Sequence, residues 1–210
     1  MTTETTIALL DYGVGNLHSA AKALHHAGAD VRLVTHVNEA AEARGLVVPG
    51  VGAYGACLRG LGTAGGAEAV RGWLATGRPL LGVCVGMQLL FEASEEGPVD
   101  DGIGVLPGPV HRLGGDDPKL PLKIPHIGWD EVDPRPDSRL FKGLGPGTRM
   151  YFVHSYAPSD PGDHVAATCD YGGTWTAAVE AGNLFGTQFH PEKSGAAGLA
   201  LLGNFVDACR

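Results

Sequence analysis

The stretch Leu80-Leu81-Gly82-Val83-Cys84-Val85-Gly86-Met87-Gln88-Leu89-Leu90 sets a cysteine midway between two glycines, where an apolar run hands over to helix-forming residues. That is the spacing of a nucleophile elbow, a sharp turn between strand and helix that lifts one side chain out of a sheet. Small residues are needed on both sides because a neighbouring Cβ would block the packing around the turn. A chain with such a junction is committed to at least one strand and helix in fixed relation, the repeating unit of an α/β fold. The position also suits a reactive thiol. A helix start favours thiolate over the ordinary thiol value of about 8.5 and offers backbone N–H groups to a developing oxyanion. Cys57, Cys169 and Cys209 lie at no such junction and read as inert core residues.

The rest of the chain supports that class. Thr6 to Tyr12 reads as a buried strand, Leu17, Ala20, Leu24 and Ala27 recur at helical spacing up to Gly28, and Val31 to Val34 supply a second strand. Leu46 to Val48 make a third strand ended by Pro49, followed by a glycine-rich loop, a helix over Ala67 to Ala75 and the strand Pro79 to Val83 that feeds the elbow. From about Gly102 the pattern becomes antiparallel, with strands expected over Gly104 to Gly108, Lys123 to Val132, Arg149 to Tyr156, Val165 to Cys169 and Thr176 to Val179. Leu184 to Phe189 is a last core strand, and Leu199, Leu202, Phe205 and Val206 face the core from a closing helix. The expected result is a mixed central sheet with helices on both faces and a smaller antiparallel sheet, built from residues 1–210 as one domain.

Composition narrows the function. A net charge of −8 argues against a nucleic-acid or anionic-membrane partner. Four cysteines without a CxxC pair signal neither a disulfide framework nor a zinc site, and fit a reducing cytoplasm. The N-terminus has no basic start, and no apolar run approaches the roughly 18 residues of a membrane span. A soluble, unexported protein acting on a small molecule or another protein is expected, with no metal and no cofactor.

Two groups complete the chemistry around Cys84. Gln88, four residues on, shares its helix face, and its amide leans back toward the thiol. Among nine histidines His190 stands out, because it ends an apolar strand and is followed by Pro191 and Glu192. The residue before proline is driven to extended geometry, so His190 and Glu192 face one way, and the carboxylate can orient the imidazole toward the thiol. His126 and His154 fall in expected strands and are readable as core residues. The loop Gly50-Val51-Gly52-Ala53-Tyr54-Gly55 matches a dinucleotide fingerprint in letters only, since Gly60 and Gly62 weaken the following helix and no acidic ribose ligand ends a second strand. It reads better as a backbone loop whose N–H groups face the cleft beside Cys84.

Taken together, the Gly-x-Cys-x-Gly elbow, the downstream His190-Pro191-Glu192 and Pro49-Gly50-Val51-Gly52 resemble the class I glutamine amidotransferases. Within that class, Asp11 to Leu17, Pro125-His126-Ile127-Gly128-Trp129, Tyr151 to Tyr156 and Gln188 to Ser194 are similar to the glutaminase subunits of imidazole glycerol phosphate synthases. The resemblance covers nearly the whole chain and implies a flavodoxin-like fold. It implies that Cys84, His190 and Glu192 form a triad that hydrolyses L-glutamine through a γ-glutamyl thioester. Gly52, Gln88, His154, Ser155 and Tyr156 would contact the glutamine, and Gly50, Val51 and Gly52 would form the oxyanion loop. Asn16, Tyr151 and Lys193 would meet a partner, a (β/α)₈ cyclase subunit forming a heterodimer with the chain. That subunit uses the channelled ammonia to convert phosphoribulosyl-formimino-carboxamide ribotide (PRFAR) to imidazole glycerol phosphate and aminoimidazole carboxamide ribotide (AICAR) in histidine biosynthesis. After the glutaminase fold, 210 residues leave nothing for a barrel of about 250. The loop is further expected to act as a switch, leaving the isolated subunit nearly inactive.

One departure is Asp130, where the family is expected to carry asparagine. The triad alone is shared with sister amidotransferase subunits, and a cysteine peptidase or esterase could keep the elbow. Those two readings remain open at this point. A non-enzymatic binding module would need an incomplete triad, and the triad is complete.

Overall fold

The computed structural model describes residues 5–96, 102–114, 122–158 and 162–210. Residues 1–4, part of the N-terminal stretch read for a targeting signal, lie outside them. In chain order the elements are β1 (Thr5–Leu10), α1 (Leu17–His26), β2 (Ala29–Val34), β3 (Gly45–Val48), α2 (Tyr54–Thr63), α3 (Gly66–Ala75), β4 (Leu80–Val83) and α4 (Val85–Gln88). Then follow β5 (Ala93–Ser94), β6 (Pro109–Arg112), β7 (His126–Pro134), β8 (Thr148–His154), β9 (Tyr156–Pro158), β10 (Val165–Asp170), β11 (Thr174–Ala181), β12 (Leu184–Thr187) and α5 (Gly195–Ala208). Among the described residues no helix is long and apolar enough to cross a membrane.

Nine strands form one sheet in the order β2-β1-β3-β4-β12-β11-β10-β7-β8. The half from β2 to β12 is parallel and the half from β12 to β8 antiparallel. The parallel strands β3, β4 and β12 are buried along their whole length, which explains why they read as unbroken apolar runs. The crossover from β1 to β2 runs one way along the sheet and that from β3 to β4 the other, so right-handed connections put their helices on opposite faces. Accordingly α1 packs on α5, and α2 on α3. A second sheet joins β6 to β9 antiparallel and to β5 parallel.

Three expectations change. Residues 54–63 form α2 rather than a loop. Gly60 and Gly62 cost the helix interior roughly 1 kcal/mol each, but Tyr54, Cys57 and Leu61 bury one face, and Gly60 is required where a Cβ would lie 2.6 Å from the Tyr12 carbonyl oxygen. Residues 104–108 form bends, with Gly104 and Gly108 at φ 66° and 83°, and the strand begins at Pro109. The run Arg149 to Tyr156 breaks at Ser155 into β8 and β9, which belong to different sheets. That break turns His154, Ser155 and Tyr156 into a corner beside the carboxyl ends of the parallel strands, where ligands of such sheets bind.

Candidate active site

Cys84 follows directly on β4 with φ 54° and ψ −116°, the one non-glycine residue with positive φ among those described. A side chain held there costs of order 1–3 kcal/mol, a strain typical of functional turns. The neighbouring glycines make the turn possible. A Cβ on Gly82 would stand 2.8 Å from the Met87 backbone, and one on Gly86 2.0 Å from the Val48 carbonyl oxygen. The following helix, α4, is a single turn, so it offers the thiol a few N–H groups rather than a long helix dipole.

Strand β12 runs beside β4 with Thr187 level with Val83, so the residues beyond both strands meet. Gln188 Nε2 lies 3.7 Å from Cys84 Sγ. His190 is buried at the same end, with Nδ1 2.9 Å from Glu192 Oε1. The expected contact is therefore made, but by a different backbone. His190 itself is extended, whereas Pro191–Lys193 form one 3₁₀ turn that swings Glu192 back under the imidazole. Burial by itself would push His190 down, but the Cys84 side chain and the Glu192 carboxylate outweigh it and raise the imidazole to about 9. His190 Nε2 is buried without a hydrogen-bond partner among the described residues.

Gln88 has its amide fixed by surroundings that leave one choice. Its Nε2 donates to the Tyr156 carbonyl at 2.9 Å and to Gln188 Oε1 at 3.0 Å, and its Oε1 is buried without a partner. Across the site, the loop Pro49–Gly52 runs over the elbow so closely that a Cβ on Gly50 would stand 2.3 Å from the Gly86 nitrogen. Its carbonyls are held from below, Pro49 by the Tyr12 hydroxyl and Val51 by the Cys57 thiol at 3.4 Å. Gly52 takes φ 85° in open space.

These groups line one cleft of about 670 Å³. Of the expected site residues, Cys84, His190, Gln88, Val51, Gly52, His154, Ser155, Tyr156, Asn16 and Lys193 all border it. Gly50 sits underneath against the elbow and Glu192 behind His190. Asn16 also caps α1, accepting from the Ser19 N–H at 3.3 Å. Tyr151 stands at the rim, its ring 5.8 Å from Lys193 Nζ and edge-on to the half-exposed Trp129 at 6.1 Å.

Two residues escaped the sequence reading. Gln188 is betrayed only by the register of β12 on β4. Glu96 borders the cleft, accepting from the Tyr54 N–H at 3.2 Å, and burial outweighs that bond to push its carboxyl above the usual range. No motif marks it. Among the described residues no group of three or more His, Cys, Asp or Glu could hold a metal ion.

The family "Glutamine amidotransferase class-I" matches residues 8–209. The chain is 50% identical over 215 residues to "Imidazole glycerol phosphate synthase subunit HisH" of Nocardia farcinica, covering 98% of this chain and 99% of that one. The protein of the same name from Mycolicibacterium paratuberculosis is 49% identical over 209 residues, covering 98% of each. Among solved structures, a putative GMP synthase protein from Thermoplasma acidophilum has a TM-score of 0.73 at 21% identity, covering 100% of this chain and 96% of that one. PurLQS from Thermotoga maritima has a TM-score of 0.77 at 19% identity, covering 99% and 100%. These two are likenesses of fold.

Proposed function

The chain belongs to the class I glutamine amidotransferases, and from that premise we propose that it is the glutaminase subunit of an imidazole glycerol phosphate synthase in histidine biosynthesis. The near full-length identity to the HisH subunits supports that choice over a sister amidotransferase, a peptidase or an esterase. Residues 1–210 are read as one amidotransferase domain. The observation that carries the chemistry is a pair of buried, unpaired polar atoms in the cleft that holds Cys84. His190 Nε2 and Gln88 Oε1 have no partner among the described residues, and a substrate amide supplies what both lack.

Cys84 as thiolate attacks the γ-carboxamide carbon, and the carbonyl oxygen becomes an oxyanion facing the Val51 N–H. His190, protonated below about 9, gives its Nε2 proton to the amide nitrogen as the C–N bond breaks, and ammonia leaves. The neutral imidazole then takes a proton from water, whose oxygen attacks the thioester. Collapse expels the Cys84 thiolate, yields glutamate and restores the imidazolium. Glu192 holds the ring by its Nδ1 throughout. Gln88, Gly52 and the corner His154-Ser155-Tyr156 bind the glutamine, and the Glu96 carboxylate suits its α-ammonium group.

Free ammonia in neutral water becomes unreactive ammonium, so the product is passed directly to a cyclase subunit. We take that subunit to be a (β/α)₈ barrel in a heterodimer, converting PRFAR to imidazole glycerol phosphate and AICAR. The exposed Ile127, Trp129 and Val51, with Lys193, Tyr151 and Asn16 beside them, form a mixed apolar and basic rim suited to that contact. Four free, buried cysteines accord with a reducing cytoplasm. The test is glutamine hydrolysis by the chain with and without PRFAR and a cyclase subunit. A chain that cleaves peptides or esters but not glutamine under all these conditions overturns the reading.

A further inference from the structure

Strand β7 carries His126 and Asp130 with Gly128 at φ 144° between them, and β8 sets His154 level with His126. Their side chains form a line. Asp130 Oδ2 is 3.3 Å from His126 Nε2, His126 Nδ1 is 3.1 Å from His154 Nε2, and His154 Nδ1 is 2.9 Å from the Tyr156 carbonyl oxygen. The same carbonyl accepts from Gln88 Nε2, so the line joins a carboxylate outside the cleft to the amide whose unpaired oxygen serves the cleft. Both imidazoles are buried, and the His126 ring is clasped between Phe152 at 4.8 Å and Tyr171 at 3.9 Å.

The hydrogens of this line can be counted. Three contacts need three hydrogens, an ionised carboxylate and a carbonyl bring none, and two neutral imidazoles bring two. Whichever tautomers are chosen, one contact sets acceptor against acceptor. We propose that Asp130 is a positioning residue for the glutamine site, and that the His126–His154 pair takes up one further proton that completes the line and fixes the Tyr156 carbonyl under Gln88. The proposal rests on the glutaminase reading above.

The surroundings say where that proton sits. Burial pushes His154 down to about 4, and the neighbouring His126 and His190 push the same way. Burial also lowers His126, but the Asp130 carboxylate opposes it, so His126 is the site. Among the other groups near the line, the Cys169 thiol on β10 is raised to about 12 and stays neutral. Tyr171 offers its ring face, with its hydroxyl donating to the Lys123 carbonyl at 2.6 Å. Because His126 is lowered overall, the proton leaves below the ordinary histidine value of 6.5. The line is complete once acid has protonated His126 and one hydrogen short at neutral pH. The contact that then opens is the longest, at Asp130, whose side chain is 38% exposed and can turn to water.

An asparagine at 130 would donate its own hydrogen to His126 Nε2 and complete the line at every pH. The experiment is therefore Asp130→Asn, with Asp130→Ala as a second variant that leaves two contacts for two hydrogens. In the complex with the cyclase subunit, the wild-type KM for glutamine should rise about two- to tenfold as pH climbs from acid to neutral, the worth of one hydrogen bond. Both variants should flatten that rise. In the full chain alone, ¹⁵N NMR should find His126 taking up a proton below the ordinary histidine value, and Asp130→Asn should move that titration to lower pH. Parallel KM profiles, or an unmoved His126 titration, overturn the proposal. The NMR arm needs no turnover, so it decides the proton count even if the wild type proves not to be a glutaminase.

Discussion

The backbone N–H of His190 donates to the carbonyl of Tyr151 at 2.9 Å, which hangs the proposed catalytic base from a residue at the rim of the cleft. Ser194 closes the tie, accepting from the Tyr151 N–H at 3.0 Å and donating to the His190 carbonyl at 2.6 Å. Anything that shifts the rim shifts His190 with it. Ser194→Ala leaves the part-buried Tyr151 N–H without its acceptor. It is predicted to cost about 1–3 kcal/mol of stability in a denaturant titration and to lower kcat. Unchanged stability and kcat together would mean the strand holds the base without the serine.

Lys193 stands over the other side of that rim, its Nζ 5.8 Å from the Tyr151 ring. An exposed contact of this kind is worth about 0.5–1 kcal/mol, too little to matter to the fold. Lys193→Ala is therefore predicted to leave the unfolding midpoint nearly in place while reducing the partner's stimulation of glutamine hydrolysis. An unaltered stimulation ratio with unaltered affinity for the cyclase subunit would return Lys193 to the ordinary surface.

Cys84→Ala should abolish glutamine-dependent synthesis in the reconstituted complex and spare synthesis from added ammonia, because only ammonia generation uses the thiol. Glu192→Gln should harm less than His190→Ala, since the imidazole stays and loses only part of its support. Residual glutamine cleavage by Cys84→Ala, measured as glutamate released, would exclude the assignment of the nucleophile.

The raised His190 value gives a pH signature. Its protonated form is the proposed proton donor to the leaving amide, so kcat/KM should fall on the alkaline side near pH 9. The same shift makes the imidazolium a source of native stability, fully present below the unfolded value of about 6.5 and lost as pH rises through about 9. Glu192→Gln removes one of the groups holding the proton and should move the alkaline limb to lower pH. A limb that stays put would assign it to another group.

Two members of the proposed triad were legible because they are punctuated locally, Cys84 by Gly82 and Gly86, and His190 by Pro191. The central strands were legible for a related reason, since burial on both faces makes β3, β4 and β12 unbroken apolar runs. What escaped depends on partners distant in sequence. Helix α2 forms against propensity because Tyr54, Cys57 and Leu61 bury one face, while Gly60 admits Tyr12. Gln188 meets Cys84 only through strand register, and the corner at Ser155 exists because two sheets claim the two halves of one apolar run. The line from Asp130 to Tyr156 needs two strands and a turn to be assembled before any hydrogen can be counted.

The oxyanion loop carries the last prediction. The Tyr12 hydroxyl holds the Pro49 carbonyl, and the Cys57 thiol holds the Val51 carbonyl. Burial pushes the Tyr12 phenol up, so it remains a donor at any working pH. The peptides on either side are thus anchored, and the Gly50–Val51 peptide between them, which carries the N–H proposed to serve the oxyanion, has no such brace among the described residues. Losing one oxyanion donor costs about 10² to 10³ in kcat, so turning this peptide suffices to keep the isolated chain nearly silent. The two glycines have unequal parts in it. Gly52 supplies the positive φ, whereas Gly50 is small because a Cβ there would strike the Gly86 nitrogen at 2.3 Å. Gly50→Ala should therefore damage the elbow itself, lowering both basal and stimulated rates together with stability. Tyr12→Phe frees the Pro49 carbonyl without touching the elbow, and is predicted to raise the basal rate and narrow the ratio of ligand-stimulated to basal hydrolysis. A ratio identical to wild type in Tyr12→Phe, or hydrolysis by the isolated chain at the rate of the ligand-saturated complex, would end the case for a switch.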